Sequence, residues 1–268
     1  MAITALHSAA TGMKAMDTKL DVIAHNIANS NTAGFKSSRV NFEDLFYEER
    51  RQPGALNSLG QRSSTGLFVG LGARVSNTQY DLSNGSMEET GQPLDLAIQG
   101  EGYFKVQSFE GIGGGEAYSR AGNLMADVDG NLVLGTADGL IIEPPITFPK
   151  GTEKSSITIT SDGTITAKVN GEDEELGNLE LYRFPNPHGL AQVGGNLLVK
   201  TEASGEPIAG TPGEEGMETL AQRFLEASNV DPVRELISMI RTQRSFEMNS
   251  QTIQAADENL QVVSRLRR

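Results

Sequence analysis

The pattern of apolar and polar positions predicts a helix near the N-terminus. Apolar residues recur there at alternating intervals of three and four, the a/d spacing of a helix that packs along another helix. The pattern stops at a cluster of turn-forming residues, 29–34. It predicts one helix over about residues 5–29, with Thr4 as its N-cap. The seam consists of Leu6, Ala9, Met13, Met16, Leu20, Ile23 and Ile27.

A second amphipathic segment occupies the C-terminus. Asp231 followed by Pro232 is typical of an N-cap and the first helical position, and no helix breaker follows before Arg268. Gln243 and Ser250 interrupt the apolar face, so this seam is less regular than the first. Its members are Val233, Leu236, Met239, Ile240, Phe246, Ile253, Ala256, Leu260 and Val263.

Two interpretations of these helices are open. Most amphipathic helices cover the core of their own domain. A narrow a/d stripe suits a helix-on-helix seam better, and here both helices lie at the extreme ends of a chain whose middle has strand patterns. We therefore expect the two helices to pair in a coiled-coil-like manner, to be marginal alone, and to become ordered in a larger helical bundle.

The middle of the chain predicts strands and turns. Residues 94–98 alternate, Asp129-Gly130 separates two short apolar runs, and Asp162-Gly163 lies between 157–160 and 164–167 as in a hairpin. Turn signals every ~8–12 residues indicate an all-β domain. Residues 34–75 differ, because they look like a long extended or looping connector, which is functional or disordered in a compact protein.

The predicted fold is mainly β with long N- and C-terminal α-helices. Residues 1–33 plus 228–268 would form a helical inner domain, 34–75 a connector, and 76–227 an all-β outer domain. Hydrophobic residues make up 37% of the chain and aromatic residues 6%, so the core should be aliphatic. There is no cysteine, which excludes disulfides, thiolate metal sites and a catalytic Cys.

The net charge of −13 is concentrated in the middle. Residues 1–30 and 231–268 carry eight basic and seven acidic residues, whereas 31–230 carry 14 basic and 28 acidic ones. An acidic middle argues against nucleic-acid binding, and near-neutral ends can associate without strong repulsion. The N-terminus lacks a signal peptide's basic and apolar regions, and no run approaches the ~18 apolar residues of a membrane span. We expect a cytosolic protein, or one exported by another route, without membrane insertion.

Catalytic, cofactor and metal sites find no support in the sequence. The three histidines do not have ligand spacing. Residues 127–131 lack the arrangement of a calcium loop, and the glycines at 111–115 lack the Lys and helix of a phosphate loop. The acidic run 172–175 could supply a carboxylate pair for glycoside hydrolysis, but it is more simply a solvated hairpin tip. No catalytic, cofactor-binding or metal residues are therefore predicted.

The residues at both ends resemble the signatures of the flagellar basal-body rod and hook family. Residues 28–36 (ANSNTAGFK), 228–233 (SNVDPV) and 239–247 (MIRTQRSFE) resemble its terminal signatures, and 94–104 with 118–122 its central ones. The signature residues are Asn29, Thr32, Gly34, Phe35, Asn229, Val230 and Gln243. Within the family, 42–47 (FEDLFY) and 51–55 (RQPGA) resemble a segment of distal-rod members, with Phe42, Asp44, Leu45, Tyr47, Gln52, Pro53 and Gly54 as its marked residues.

This resemblance implies a structural subunit that polymerises into a helical tube, the distal rod. Terminal helices would form its inner layer, the β domain its outer layer, and the connector would lie between layers and stiffen the rod. The implied partners are copies of the chain itself, other rod proteins and hook protein along the axis, the surrounding rings and the flagellar type III export apparatus. The implied location is the periplasm-spanning basal body, reached without a cleaved signal peptide. Alternatives are a hook or proximal rod protein, a secreted β-fold glycan hydrolase, or a monomeric adhesin.

Overall fold

A computed structural model describes residues 2–54, 62, 64–109, 111, 113–152, 154–169, 171–214 and 217–266. Its internal contacts divide the chain into two compact units. The helical unit contains residues 1–28, 38–80 and 231–268, and the β unit contains 29–37 and 81–230. The predicted arrangement, mainly β with one helix at each end, is confirmed.

Two long helices form the first unit's main contact. Helix α1 spans Ala2–Ala28 and helix α2 spans Pro232–Leu266. Asp231 caps α2 as predicted, because its Oδ1 accepts hydrogen bonds from the backbone N–H groups of Val233 (3.0 Å) and Arg234 (3.2 Å). Thr4 is not an N-cap, since α1 begins at Ala2 and Thr4 lies inside its first turn. Neither helix is long and apolar enough to cross a membrane, among the residues described.

The helices run antiparallel. The Asn26 side chain of α1 donates to Glu235 of α2 at 3.2 Å, and Gly12 faces the Asn249 side chain. Fourteen residues separate the contacts on each helix, in opposite directions along the chain. The two helices therefore stay together over about 21 Å.

The segment expected to be a connector forms a two-stranded antiparallel ribbon. Its inner part pairs β1 (Ser38–Asp44) with β4 (Ala73–Tyr80), and its outer part pairs β2 (Tyr47–Arg51) with β3 (Leu67–Gly70). Because β4 continues to Tyr80, residues 76–80 belong to the ribbon and not to the β unit where the sequence-based division had placed them. Residues 34–37 group instead with the β unit. Ala55 lies outside the described residues.

The β unit is built from sixteen short strands in its described part. A five-stranded sheet has the order β11-β7-β8-β17-β16, a three-stranded sheet has the order β12-β13-β14, and the remaining strands pair as β9/β10, β15/β18, β6/β19 and β5/β20. The strands are β5 Met87–Glu89, β6 Leu96–Gln99, β7 Phe104–Gln107, β8 Glu116–Ser119, β9 Leu124–Ala126, β10 Leu132–Leu134, β11 Ile142–Glu143, β12 Thr158–Ile159, β13 Thr164–Val169, β14 Glu172–Asn178, β15 Leu181–Arg183, β16 Ala191–Gly194, β17 Leu197–Val199, β18 Ile208–Gly210, β19 Thr219–Gln222 and β20 Phe224–Glu226.

The predicted hairpins and the aliphatic core are confirmed. Strands β9 and β10 pair across the Asp129-Gly130 turn, and β12 pairs with β13 across Asp162-Gly163. The core is dominated by Leu and Ile side chains from both sheets, and a smaller cluster stacks Tyr103, Tyr118 and Phe184 edge to face. These contacts remove most apolar surface of the strands from water, which is the main stabilising contribution for so many short strands.

Candidate assembly surfaces

The C-terminal helix presents an apolar face to solvent. Leu236 is 50% exposed and Ile240 is 51% exposed, so about half of each residue is open to solvent. Soluble helices normally bury such residues. The exposed large apolar residues of α2 are Val233, Leu236, Ile237, Ile240, Phe246, Met248, Leu260, Val262 and Val263.

The opposite face of α2, which lies against α1, is mostly small and polar. Thr242 is 2% exposed and Ala256 is 7% exposed, whereas Met239 and Ile253 from the predicted apolar face are only half-buried. The positions of α2 that are not exposed between residues 235 and 256 are Glu235, Ser238, Met239, Thr242, Ser245, Asn249, Ser250, Ile253 and Ala256. Met239, Ile253 and Ala256 belong to the predicted apolar face. The polar members were not predicted, because the pattern was sought among apolar residues.

The predicted seam of α1 is turned inward. Ala9 and Ile23 are buried, each 4% exposed. The other seam residues are half-buried: Leu6, Met13, Met16, Leu20 and Ile27. The seam of α1 is therefore buried or half-buried, whereas much of the predicted seam of α2 is exposed.

The ribbon exposes aromatic side chains. Phe46 is 89% exposed and Phe42 is 37% exposed, with the Lys19 ammonium 5.9 Å from the Phe42 ring centre. Tyr47, 59% exposed, donates its hydroxyl to Asp44 at 2.8 Å. Leu45 is half-buried, and the remaining marked residues of the segment are exposed: Gln52, Pro53 and Gly54.

The N-terminal signature forms a turn within the β unit. The Thr32 hydroxyl donates to Asn29 Oδ1 at 3.2 Å, and the Phe35 N–H donates to the Thr32 carbonyl oxygen at 3.2 Å. Gly34 has φ = +69°, and its N–H donates to the Glu226 carbonyl oxygen at 2.8 Å. This turn joins the segment after α1 to the last strand of the β unit.

The C-terminal signature is organised by Asn229. Its Oδ1 accepts from the Ser37 N–H at 2.7 Å, and its Nδ2 donates to the carbonyl oxygens of Asp81 (2.9 Å) and Ser83 (3.1 Å). One amide thus connects three chain segments. The neighbouring Val230 is 9% exposed, whereas Gln243 on α2 is exposed.

A buried charged cluster lies beside these signatures. The Glu226 carboxylate, 3% exposed, accepts from Arg120 Nε at 2.6 Å, from Lys36 Nζ at 2.6 Å and from the Gly85 N–H at 2.9 Å. Arg120 also donates to Asn84 Oδ1 at 2.9 Å and to backbone carbonyls between β6 and β7. Sequence reasoning missed this cluster, and only the presence of Lys36 and Arg120 within the signatures could have indicated it.

The charges in this cluster shift one another's ionisation. Burial alone would raise the pKa of the Glu226 carboxyl, but Arg120 and Lys36 hold that pKa below its usual range. Burial lowers the pKa of the Lys36 ammonium, although Glu226 opposes that shift. The carboxylate is therefore the ionised partner that both buried cations require.

We expect the β unit to lose part of its stability in acid because of Glu226. Its pKa in the folded state lies below the ordinary 4.5. The contribution of Glu226 is thus complete above about pH 4.5 and is lost as the pH falls through the folded value. This contribution is measured by urea unfolding of the natural chain and of a Glu226→Gln variant between pH 7 and pH 3. A stability difference between the two proteins that does not shrink with acidification would contradict this assignment.

No group of three or more His, Cys, Asp or Glu residues suited to a metal ion occurs in the described part of the chain.

Three protein-family models match parts of this sequence. A model for the flagellar basal body rod protein covers residues 6–36, one for the D1 domain of flagellar hook protein FlgE/F/G covers 97–167, and one for the C-terminal region of flagellar basal body rod FlgEFG protein covers 221–266.

Full-length relatives identify one branch of this group. A flagellar basal-body rod protein FlgG from Agrobacterium fabrum is 42% identical, covering 97% of this chain and 98% of the relative. FlgG proteins from Borreliella burgdorferi and Bacillus subtilis are 40% and 38% identical, covering 98% and 99% of this chain and 98% and 100% of the relatives. The chain belongs to the FlgG family of flagellar basal-body rod proteins. It is a structural subunit of the flagellar rod.

The regions matched by the family models can be placed on the structure. The three matched regions include most of α1 with the Gly34 turn, the strands from β6 to β13, and β20 with α2. Asn229, Glu226 and Gly34 lie in or between the matched terminal regions and are connected to one another by hydrogen bonds or by shared segments. In this chain the residues around Gly34 and Asn229 are thus connected within the β unit.

Proposed function

We propose that copies of this chain polymerise into the distal rod, a helical tube that transmits torque from the motor to the hook. The observation that carries the proposal is the set of large apolar residues that α2 leaves exposed. Most residues of α2 that are turned inward are polar, whereas Met239, Ile253 and Ala256 are apolar. Leu236, Ile240 and Phe246 are 50%, 51% and 36% exposed. A helix of this kind is incomplete alone, because its apolar face loses contact with water only when another molecule covers it.

The helices of neighbouring subunits are the proposed cover. The exposed large apolar residues lie between Val233 and Met248 and again between Leu260 and Val263. The first group covers more than four turns of the helix, which suits another helix better than a small ligand. Packing of this face on α1 or α2 of another copy would create the coiled-coil-like inner layer that the sequence pattern predicts. A contact between two different surfaces, such as α2 of one copy on α1 of the next, produces a filament when its rotation does not close into a ring.

We assign the helices to the inner polymerisation layer and the β unit to the outer layer of the tube. The proposed seam residues are Leu6, Met13, Met16, Leu20, Ile23, Ile27, Leu236, Met239, Ile240, Phe246, Ile253 and Leu260. The exposed aromatic residues of the ribbon, with Phe46 the most open, support a role for it in contacts between layers. A rod lacking residues 43–62 should then be less stiff than a natural rod.

The proposed partners are further copies of this chain, other rod proteins and hook protein along the axis, the surrounding rings and the type III export apparatus. The proposed site is the periplasm-spanning part of the basal body, reached without cleavage of a signal peptide. We also propose that the chain is not an enzyme, since the relatives are structural rod proteins. Release of soluble sugar from peptidoglycan by the purified chain would contradict that last assignment.

Ile240→Ser tests the exposed face of α2. Because Ile240 is 51% exposed in the single chain, the change should leave the melting temperature of the monomer within about 2 °C of the natural value. The loss of apolar contact should reduce assembly into rods at least tenfold, since burying such a side chain contributes about 1.5–3 kcal/mol at each repeated contact. Rods in isolated basal bodies, counted by electron microscopy, measure assembly.

Gln251→Ser provides the matched control, because Gln251 is exposed on the same helix and is polar. The control should form rods normally. Normal rods with Ile240→Ser would show that this face is not a subunit contact. A monomer unfolded by Ile240→Ser would show that the side chain supports the fold of the chain itself.

A further inference from the structure

The ribbon is interrupted at one level on both strands. Leu45 and Phe46 separate β1 from β2, and Leu71 and Gly72 separate β3 from β4. We call these four residues the elbow. The described residues beyond it, 47–54 and 64–70, are called the arm. Two backbone hydrogen bonds cross the elbow, from the Leu45 N–H to the Gly72 carbonyl oxygen (2.9 Å) and from the Leu71 N–H to the Phe46 carbonyl oxygen (3.1 Å).

Three side chains of α1 contact the elbow and its edge. His7 Nδ1 lies 2.9 Å from the Leu71 carbonyl oxygen, and the Ser8 hydroxyl donates to the Gly70 carbonyl oxygen at 3.3 Å. A carbonyl oxygen only accepts, so His7 Nδ1 carries the hydrogen in this contact. Thr11 is one helical turn from both residues and faces Gly72. We call His7, Ser8 and Thr11 the α1 triad.

The backbone at the elbow departs from strand geometry. Successive carbonyl groups of a strand point to opposite edges, yet both Gly70 and Leu71 accept hydrogen bonds from α1. Gly72 has φ = +116°, and a Cβ atom there would lie 2.0 Å from Thr11 Oγ1 and 3.1 Å from Ser8 Cα. A side chain at position 72 is therefore excluded by the α1 triad, and the chain turns where it meets the helix.

The described strands of the arm are largely exposed. All residues of β2 are exposed, and Leu67 and Phe68 of β3 are 51% and 49% exposed. An isolated two-stranded ribbon is at best marginally stable in water. Its direction relative to α1 therefore depends on the contacts at its base, which lie within the same unit.

We propose that His7, Ser8 and Thr11 are positioning residues for assembly, which hold the elbow and so set the direction in which the arm leaves α1. This inference rests on the proposed polymer, in which every arm must meet its neighbour in the same way. The triad acts through the arm and need not touch a neighbouring subunit. Its role is separate from that of the apolar face of α2, because the two surfaces share no residue.

The test compares His7→Leu/Ser8→Ala with the natural full-length chain. Hydrogen exchange measured by NMR should be about tenfold faster at the Leu45 and Leu71 amides, since two hydrogen bonds that hold the elbow are lost. Amides of α2 and of the β unit should exchange as before. His7→Asn leaves Ser8 intact, and its amide can replace the Nδ1–H donor, so it should keep the slow exchange of the natural chain. Thr18→Ala, which removes a hydroxyl bonded only to the Lys14 carbonyl oxygen, should have no effect at the elbow.

Assembly is then measured on the same variants. The double variant should form fewer rods, by about tenfold, and His7→Asn should form them normally. Unchanged exchange at Leu45 and Leu71 would show that the triad does not hold the elbow, whether or not the chain polymerises. Faster exchange with normal rods would show that the elbow does not govern assembly. If Ile240→Ser also forms normal rods, the proposed polymer contact itself is wrong, which is a separate failure.

Discussion

Replacing Glu226 with Gln is expected to destabilise the β unit by about 3–5 kcal/mol, although the two side chains are nearly equal in size. The Glu226 carboxylate is 3% exposed and contacts both Arg120 and Lys36 at 2.6 Å. The variant keeps atoms that can form hydrogen bonds, but it leaves two buried cations without this anion. An uncompensated buried charge is far more costly than a lost neutral hydrogen bond.

Urea unfolding followed by near-ultraviolet circular dichroism measures this loss, and hydrogen exchange assigns it to the β unit. Glu206→Gln is the matched control, because Glu206 pairs with Lys200 at 3.1 Å while its side chain is 84% exposed. The control should change stability by no more than about 0.5 kcal/mol. If both substitutions lower the stability by the same amount, the backbone carbonyls and Asn84 must stabilise the buried Arg120 charge without Glu226.

Local patterns were sufficient to predict the two helices and the hairpins of the β unit. The three-and-four spacing predicted α1 to within a few residues, and Asp231-Pro232 predicted the start of α2. Asp162-Gly163 between two alternating runs predicted a hairpin that the structure contains. These signals work because helix periodicity, capping and tight turns depend on residues close together in sequence.

The ribbon and the α2 seam could not be predicted in the same way. Residues 38–44 contain few apolar side chains, so nothing indicated that they pair with 73–80. On α2, the predicted apolar face combined exposed residues such as Ile240 with the buried Ala256, because polar residues such as Thr242 fill much of the side that is turned inward. An exposed apolar stripe is expected where the covering surface belongs to another molecule, and no single sequence states which molecule that is.

The buried cluster was beyond prediction for a different reason. Glu226 is 106 residues from Arg120 and 190 residues from Lys36 along the chain. Charged residues are mostly exposed, so the default expectation for all three was the surface. The resemblance to rod and hook signatures placed Lys36 and Arg120 within family motifs. These motifs do not indicate that both cations bind the same carboxylate.

Gly34→Ala is the second large effect that we expect, a loss of about 3 kcal/mol or more in the β unit. Gly34 has φ = +69°, which costs a residue with a side chain about 1–2 kcal/mol. A Cβ atom there would also lie 2.8 Å from the backbone carbon of Arg120 and 2.8 Å from the backbone nitrogen of Ala121. Backbone atoms cannot rotate away, so the strand end must move, and Arg120 would be drawn away from Glu226.

Gly139→Ala separates the two causes. Gly139 lies in the same unit with φ = +56°, and nothing lies within 4 Å of a Cβ atom built there. It should therefore cost only the backbone term of about 1–2 kcal/mol. Asn tolerates positive φ better than Ala, so Gly139→Asn should be milder still, whereas Gly34→Asn should remain as damaging as Gly34→Ala. Urea unfolding measures the loss of stability in each variant. If Gly34→Ala and Gly139→Ala lose equal stability, residue 34 must be glycine only because of its positive φ. If Gly34→Ala loses more, as we expect, the close approach of the segment that carries Arg120 also requires glycine there.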